Sequence, residues 1–356
     1  MDLEGTPPRR YPRDEISPEH TGQCAIEEVI AAPWIRFRIP LETILPVPRR
    51  LRRILLENTV APQKTAQHSP KTSRVGIGLP VYNGERYVEA AIRSILEQSF
   101  EDFQLVIGDN ASTDGTEEIC RSFDSDPRVQ YVRRDWNLGA TPNYNDLMDR
   151  LDSPLVRWQA CDDVLARTYL ERCVELLDEY PEAPMAHTAA TIIDEHGDIQ
   201  REWDLEHPLA HEDPAKRWQA AAEAWDWHSI FGLVRRTVMD DVGVFPIYPG
   251  SDRWVLAGWL LQGQPRYCSE SLFLWRDHPE TFRRSANSNR KSSEIWWSSN
   301  LRSWPLRTSI LGYRHGLKLI QTSGLDTTTR RACRRTLRRQ ISKPMLRRIK
   351  TLFPGQ

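Results

Sequence analysis

RVGIGLPVYNGERYVEAAIRSILEQSFEDFQLVIGDNASTDGTEEI, residues 74–119, changes its hydrophobic period twice. VGIGLPV is a short apolar run broken by Pro80 and Asn83, the pattern of a buried strand that ends in a turn. In GERYVEAAIRSILEQ, Val88, Ile92, Ile95 and Leu96 recur on one side of a 3.6-residue repeat, with Tyr87 and Ala91 beside them. That spacing predicts a helix packed by one face. QLVIGDN is a second apolar run and predicts a second buried strand.

The alternation continues downstream. TDGTEEICRSF predicts a helix with Thr113 or Asp114 as cap, RVQYVRR a third strand, and NLGATPNYNDLMDRL a helix with Pro142 in its first turn. LVRWQA predicts a fourth strand that runs directly into Cys161, Asp162 and Asp163. ARTYLERCVELLDEY reads as a helix stopped by Pro181, APMAHTAATII as a strand, DEHGD as a turn and PAKRWQAAAEAWDW as a helix. SIFGLVRR, TVMDDVGVF, DRWVLAGWLLQG and RYCSESLFLWR follow as strand, short helix, helix and final strand. The order implies an α/β fold with a Rossmann-like, mostly parallel sheet and helices on both faces, filling residues 71–285. Ligands of such sheets gather outside the carboxyl ends of the strands.

Residues 1–70 mix Pro, Arg and Glu without a sustained period and read as an extended or poorly ordered preface. Residues 286–356 read as a basic helical extension. The net charge of −1 over 356 residues conceals a division. Residues 71–300 carry 24 basic against 39 acidic side chains, and residues 301–356 carry 14 against 1. So acidic a body repels a phosphate backbone, and no nucleic acid is expected as partner. No apolar run approaches the ~18 residues that would cross a bilayer, and MDLEGTPPRRYPRDE lacks a signal-peptide core, which together give a cytoplasmic expectation. Six scattered cysteines show no metal-type spacing and read as reduced thiols. In the tail, Leu337, Ile341, Met345, Leu346, Ile349, Leu352 and Phe353 recur near helical spacing, interrupted by Pro344. Such a segment either rests on an anionic membrane surface, making the protein peripheral on the inner face, or packs one side on its own domain.

Three strand ends present polar groups: Pro80 to Asn83, Asp109 to Asp114, and Cys161 to Asp163. A parallel sheet brings them together. The adjacent Asp162 and Asp163 attract a hard divalent cation, which can neutralise a diphosphate; either residue could instead cap the helix expected from Ala166. Trp158 reads as core, whereas Trp225, Trp227 and His228 either pack or stack on a sugar ring.

Together these strings resemble the opening of the family 2 glycosyltransferases with the GT-A fold. Members typically begin with a strand, P-x-Y-N, a helix ending in Q-S or Q-T, and a D-D-x-S-x-D-G-T strand end. NLGATPNYNDLM, WQACDDVLARTYLERC and RDH at 276–278 extend the likeness. The resemblance implies a GT-A nucleotide-diphospho-sugar transferase fold and a metal-dependent, inverting glycosyltransferase. Its donor would be a nucleotide-diphospho-sugar, and its acceptor a glycan, a lipid-linked saccharide or a surface polysaccharide. Pro80, Tyr82, Asn83 and Glu85 would line the nucleotide pocket, and Asp109 would hydrogen-bond the base. Asp162 takes the place of the last acid of the D-x-D motif and would hold Mn2+ or Mg2+, with Asp163 following it. Arg276 and His278 match a late basic position near the diphosphate, His278 completing the metal shell. Asp252 falls where the family places its catalytic base, with a helix cap or an acceptor contact as the other readings. The chain departs from the pattern at Asn110, where a second aspartate is frequent, at Ala160, where the first D-x-D acid often stands, and at Ser251-Asp252, where Glu-Asp is frequent. The change at Ala160 motivates the alternative of a non-catalytic sugar-nucleotide or glycan-binding module.

Overall fold

β1 (Val75–Val81) is buried along its whole length, and its alternation sets two unlike faces. Val75, Ile77, Leu79 and Val81 pack with α1 (Val88–Leu96), as the residue spacing predicts. Gly76 and Gly78 face the other way, where α3 (Ala140–Asp149) lies against the strand. A Cβ at Gly78 would sit 2.7 Å from Met148 Cε and 3.0 Å from Leu147 Cβ, so only glycine allows this approach. The structure, a computed structural model, describes residues 72–203, 209–223, 228–281, 297 and 305–352. The expectation for residues 1–70, like Trp225 and Trp227, lies outside the described residues. From Ser69 onward the chain forms one compact unit.

After β1 and α1 come β2 (Phe103–Asp109), α2 (Thr116–Arg121), β3 (Val129–Arg133), α3 and β4 (Leu155–Trp158). These four strands lie in the order β3-β2-β1-β4, all parallel. The remainder of the domain comprises β5 (Val164–Leu165), α4 (Tyr169–Glu179), β6 (Met185–Ile193), β7 (Ile199–Trp203), α5 (Pro214–Glu223), β8 (Leu233–Arg235), α6 (Arg236–Val242), α7 (Ser251–Gln262) and β9 (Arg266–Arg276). Here the sheet is mixed: β8 is antiparallel to β4 and β6, β9 parallel to β6, β5 antiparallel to β9 and β7 antiparallel to β6. β5 and β7 were not expected from the sequence. β5 has two residues, and β7 is mostly exposed and polar, so neither carries an apolar period.

Each face of the sheet has its own apolar cluster. One joins β1 and β2 to α1 and α4; the other joins β4 to α3, α5, α6 and α7. The second cluster also takes in α8 (Pro305–Thr322) and α9 (Thr327–Leu352) through Leu319, Ile320, Cys333 and Leu337. Trp158 is fully buried there, stacked on Phe245 at 4.2 Å and Trp259 at 5.9 Å, which fits its reading as core. α9 continues through Pro344. No described helix is long and apolar enough to cross a membrane.

Candidate active site

The loops after β1 and β2 are laced together by side chain to backbone hydrogen bonds. Asn83 N–H donates to Ser112 Oγ (3.0 Å), and Thr113 N–H donates back to Asn83 Oδ1 (2.8 Å). Gly84 N–H donates to Thr116 Oγ1 (2.8 Å), Glu85 N–H to Asp114 Oδ2 (3.1 Å) and Gly115 N–H to Glu85 Oε2 (2.6 Å). Asp114 also accepts from Thr116, so it serves both loops. Burial would raise its pKa, but these hydrogen bonds hold it below the usual aspartate value. The loops are stiff enough to keep Asn83 (φ 52°) and Ala111 (φ 63°) in the left-handed region. Of the residues expected to line a nucleotide pocket, Pro80 is buried in β1, while Asn83 and Glu85 direct their side chains into the lacing. Tyr82 is 47% exposed at the strand end.

Asp109 ends β2, in register with Val81 of β1 and Arg133 of β3. It is fully buried. Ser112 N–H donates to Oδ1 (2.8 Å), while Tyr131 Oη (2.7 Å) and the Arg133 guanidinium donate to Oδ2. The groups in contact with Asp109 are therefore Ser112, Tyr131 and Arg133. Arg133 is partly exposed and also reaches Glu117 and the Ser112 carbonyl. Asn110 ties β2 to the loop before α3: its Nδ2 donates to Asn137 Oδ1 (2.9 Å) and Gly139 O (3.0 Å), and its Oδ1 accepts from Leu138 N–H (3.0 Å). An aspartate could not make the first two bonds, which explains an amide at this position.

Across the sheet, Asp162 meets His278. The carboxylate is 28% exposed, and its Oδ2 lies 3.1 Å from His278 Nε2. His278 is buried against the Tyr87 ring, centroids 4.5 Å apart. Arg276 acts one layer further in: its Nε donates to Asp162 O (2.9 Å), its Nη1 to Asp194 O (2.9 Å), and its backbone N–H to Asp163 Oδ1 (2.9 Å). Buried in this way, Arg276 and Asp163 hold the backbone that carries Asp162. Burial, reinforced by Asp162, raises the Asp163 pKa well above the usual value. Asp162 and His278 suit a divalent cation of the Mn2+ or Mg2+ kind in donor chemistry, but Ala160 adds nothing, and among the described residues no three His, Cys, Asp or Glu side chains gather as a metal site. His278 Nδ1 is buried without a partner, whereas a metal-bound imidazole usually donates its other N–H. The pair fits a metal only as a partial shell that substrate oxygens complete.

Asp252 lies in the first turn of α7, half-buried, with Arg253 N–H donating to its Oδ1 (2.9 Å). Burial raises its pKa above the ordinary value. Tyr144 relates it to the other acids. Burial holds this phenol protonated well above its usual pKa, and the charges of Asp162, Asp163 and Asp252 all add to the effect. The charges of the strand-end acids and of the α7 acid thus all reach this phenol on α3. Asn145, next in α3, binds both backbone groups of Phe245: its Nδ2 donates to Phe245 O (2.8 Å), and Phe245 N–H donates to its Oδ1 (3.1 Å). Tyr144 and Asn145 were not singled out by the sequence reading. Their neighbour Pro142 marks only a helix start, and nothing local shows which residues face 100 positions downstream.

Residues 77–240 match the profile of the family described as Glycosyl transferase family 2. Those residues are similar to that family. TuaG of Bacillus subtilis, a putative teichuronic acid biosynthesis glycosyltransferase, is 31% identical over 106 residues, covering 30% of this chain and 42% of that protein. The GalNAc(5)-diNAcBac-PP-undecaprenol beta-1,3-glucosyltransferase of Campylobacter jejuni is 24% identical over 133 residues, covering 36% and 42%. The chain spans less than half the length of these curated relatives. Among solved structures, Staphylococcus aureus TarS 1-349 in complex with UDP-GlcNAc superposes with a TM-score of 0.58 at 15% identity, covering 76% of this chain and 73% of that one. That likeness shows the fold, and the GT-A architecture expected from the sequence is the one observed. The family 2 match ends within α6, so Asp252 and His278 both lie beyond it.

Proposed function

We propose that this family 2 domain is an inverting glycosyltransferase that moves a sugar from a nucleotide-diphosphate donor to a hydroxyl of a glycan, lipid-linked saccharide or surface-polysaccharide precursor. The observation that supports it most is the Asp162–His278 pair, 3.1 Å apart beyond the carboxyl end of β4 in this fold. In this reading Tyr82 and the loops after β1 and β2 receive the nucleotide, with Asp109 acting on the base through the Arg133 and Tyr131 it holds. Asp252 takes the proton of the acceptor hydroxyl as that oxygen bonds to the anomeric carbon. The bond from that carbon to the diphosphate breaks, and its electron pair leaves with the nucleoside diphosphate. A single displacement from the opposite face inverts the anomeric centre. A carboxylate with a raised pKa is a stronger base for this purpose. Asp162 and His278 are the residues that would hold Mn2+ or Mg2+, which would neutralise the leaving diphosphate.

α9 carries ten basic and no acidic side chains, and Arg331, Arg335 and Arg338 share an exposed side opposite the buried Cys333 and Leu337. This charge supports a peripheral position on an anionic inner membrane face. The function is tested with a panel of UDP- and GDP-sugars and Mn2+, following released nucleoside diphosphate. The wild type turns over at least one donor, and Asp162→Ala weakens metal-supported donor binding about tenfold or more. Donor binding without release or transfer for any donor and acceptor would favour the binding-module alternative, which the missing acid at Ala160 motivates.

A further inference from the structure

The loop from Gly243 to Gly250 delivers α7, yet α7 has no side-chain cap at its N-terminus. Its entry is set instead by Gly250 in the left-handed region (φ 80°) and by Ser251 N–H donating to Tyr248 O (3.2 Å). Tyr248 is thus bonded through its backbone to the residue immediately before Asp252. Its phenol, almost fully buried, hydrogen-bonds His315 Nδ1 of α8 at 2.7 Å, the two rings edge-on at 6.0 Å. Burial, with Lys318 adding to it, lowers the His315 pKa to about 4, so the imidazole is neutral near pH 7 and its Nδ1 shares one hydrogen bond with the phenol. α8 lies flush against this region at Gly312, where a Cβ would stand 3.4 Å from Trp254 Nε1 and 3.7 Å from Tyr248 Cε2. The other end of the loop is held by Asn145 at Phe245. Between these two anchors, the Tyr248–His315 bond joins the loop before α7 to α8.

We infer that His315 is a positioning residue for Asp252, acting through Tyr248, so that the C-terminal helices are part of the catalytic apparatus. The inference rests on the reading of Asp252 as base. It assigns α8 a task that its sequence, a basic helical extension, does not suggest. Because this bond is made from the loop that delivers α7, its loss is expected to move the carboxylate relative to the acceptor hydroxyl and to leave the donor side untouched.

The test uses the full chain with the donor that supports turnover, measuring kcat, donor KM and Tm for Tyr248→Phe, His315→Ala, His315→Asn and the Tyr248→Phe/His315→Ala double variant. Tyr248→Phe keeps the ring and its packing. Each of the first two is expected to lower kcat about fivefold to tenfold with donor KM within about twofold. The double variant should be no worse than the weaker single, because both remove one bond. His315→Asn, whose amide oxygen can stand where Nδ1 stood, should recover most of kcat. Crystal structures of the same variants should show Asp252 displaced, a readout that needs no substrate. Unchanged kcat in both single variants, additive losses in the double, or an unmoved Asp252 would overturn the inference. Asp252→Asn separates the two levels: if it abolishes turnover while Tyr248→Phe and His315→Ala leave kcat unchanged, positioning fails and the base stands. Turnover that survives Asp252→Asn overturns both.

Discussion

The loops after β1 and β2 on one side of the site and the 243–250 loop on the other are fixed by different physics. On the first side, residues about 30 positions apart exchange many side chain to backbone hydrogen bonds, as Asn83 does with Ser112 and Thr113. On the second, the anchors reach further along the chain: Asn145 to Phe245 spans 100 positions and Tyr248 to His315 spans 67. Aromatic packing of Trp158, Phe245 and Trp259 fills the space between. A laced loop tolerates the loss of one bond, because its neighbours persist. The family match follows the same division, covering 77–240 and stopping before Asp252.

The sharpest way to break this comparison is Asp252→Asn. It is expected to lower turnover by about 10²–10⁴ with donor affinity nearly unchanged, read from single-turnover rates and donor titration. The wild-type rate should rise with pH through a midpoint above the ordinary aspartate value, and that limb should vanish in the variant. The stability sign is opposite to the activity sign. A carboxyl whose folded pKa is raised favours the fold only while protonated, and this contribution is lost as pH rises through the folded pKa. Near neutral pH the asparagine therefore removes a penalty, and Tm should rise. A falling Tm would mean that the carboxylate is stabilised by its surroundings.

On the laced side, Asn110→Asp restores the acid frequent in the family but replaces two N–H donors by oxygens facing Asn137 Oδ1 and Gly139 O. A loss of about 1–3 kcal/mol in denaturant unfolding is expected, with turnover per folded molecule reduced less than by Asp252→Asn. Unchanged stability would show that the loop before α3 does not depend on that amide. The smallest effect on turnover in solution is expected from changing Arg331, Arg335 and Arg338 together to Gln. Their binding to vesicles containing phosphatidylserine should fall about tenfold or more, while donor hydrolysis stays within about twofold. Equal vesicle binding would leave the positive charge without a membrane role.

Much of the laced side was legible because each element there announces itself within a dozen residues. The apolar runs of β1 and β2, the one-sided helix α1 and the strand end at Asp162 all lie where the pattern predicts. The side-chain duties were less legible. Arg276, expected near a diphosphate, donates instead to the Asp162 and Asp194 carbonyls, and Glu85 caps a neighbouring loop through Gly115. A charged residue at a strand end reads as a ligand contact until its neighbours are known, and those neighbours come from β4, β6 and the turn after it. Tyr144 gave no signal, since a tyrosine in an amphipathic helix looks the same whether or not the charges of distant segments reach it.

The sequence by itself determined the parallel first half of the sheet, the helices that cover it and the positions of Asp109, Asp162 and Asp252 along the chain, because periodicity and turn chemistry act over short separations. Only the tertiary structure decided which of those acids are buried and already partnered, that α8 and α9 belong to the core behind α7, and that Tyr248 meets His315. Those outcomes depend on packing between segments far apart in the chain, and pairing at that range leaves no period in the sequence to read.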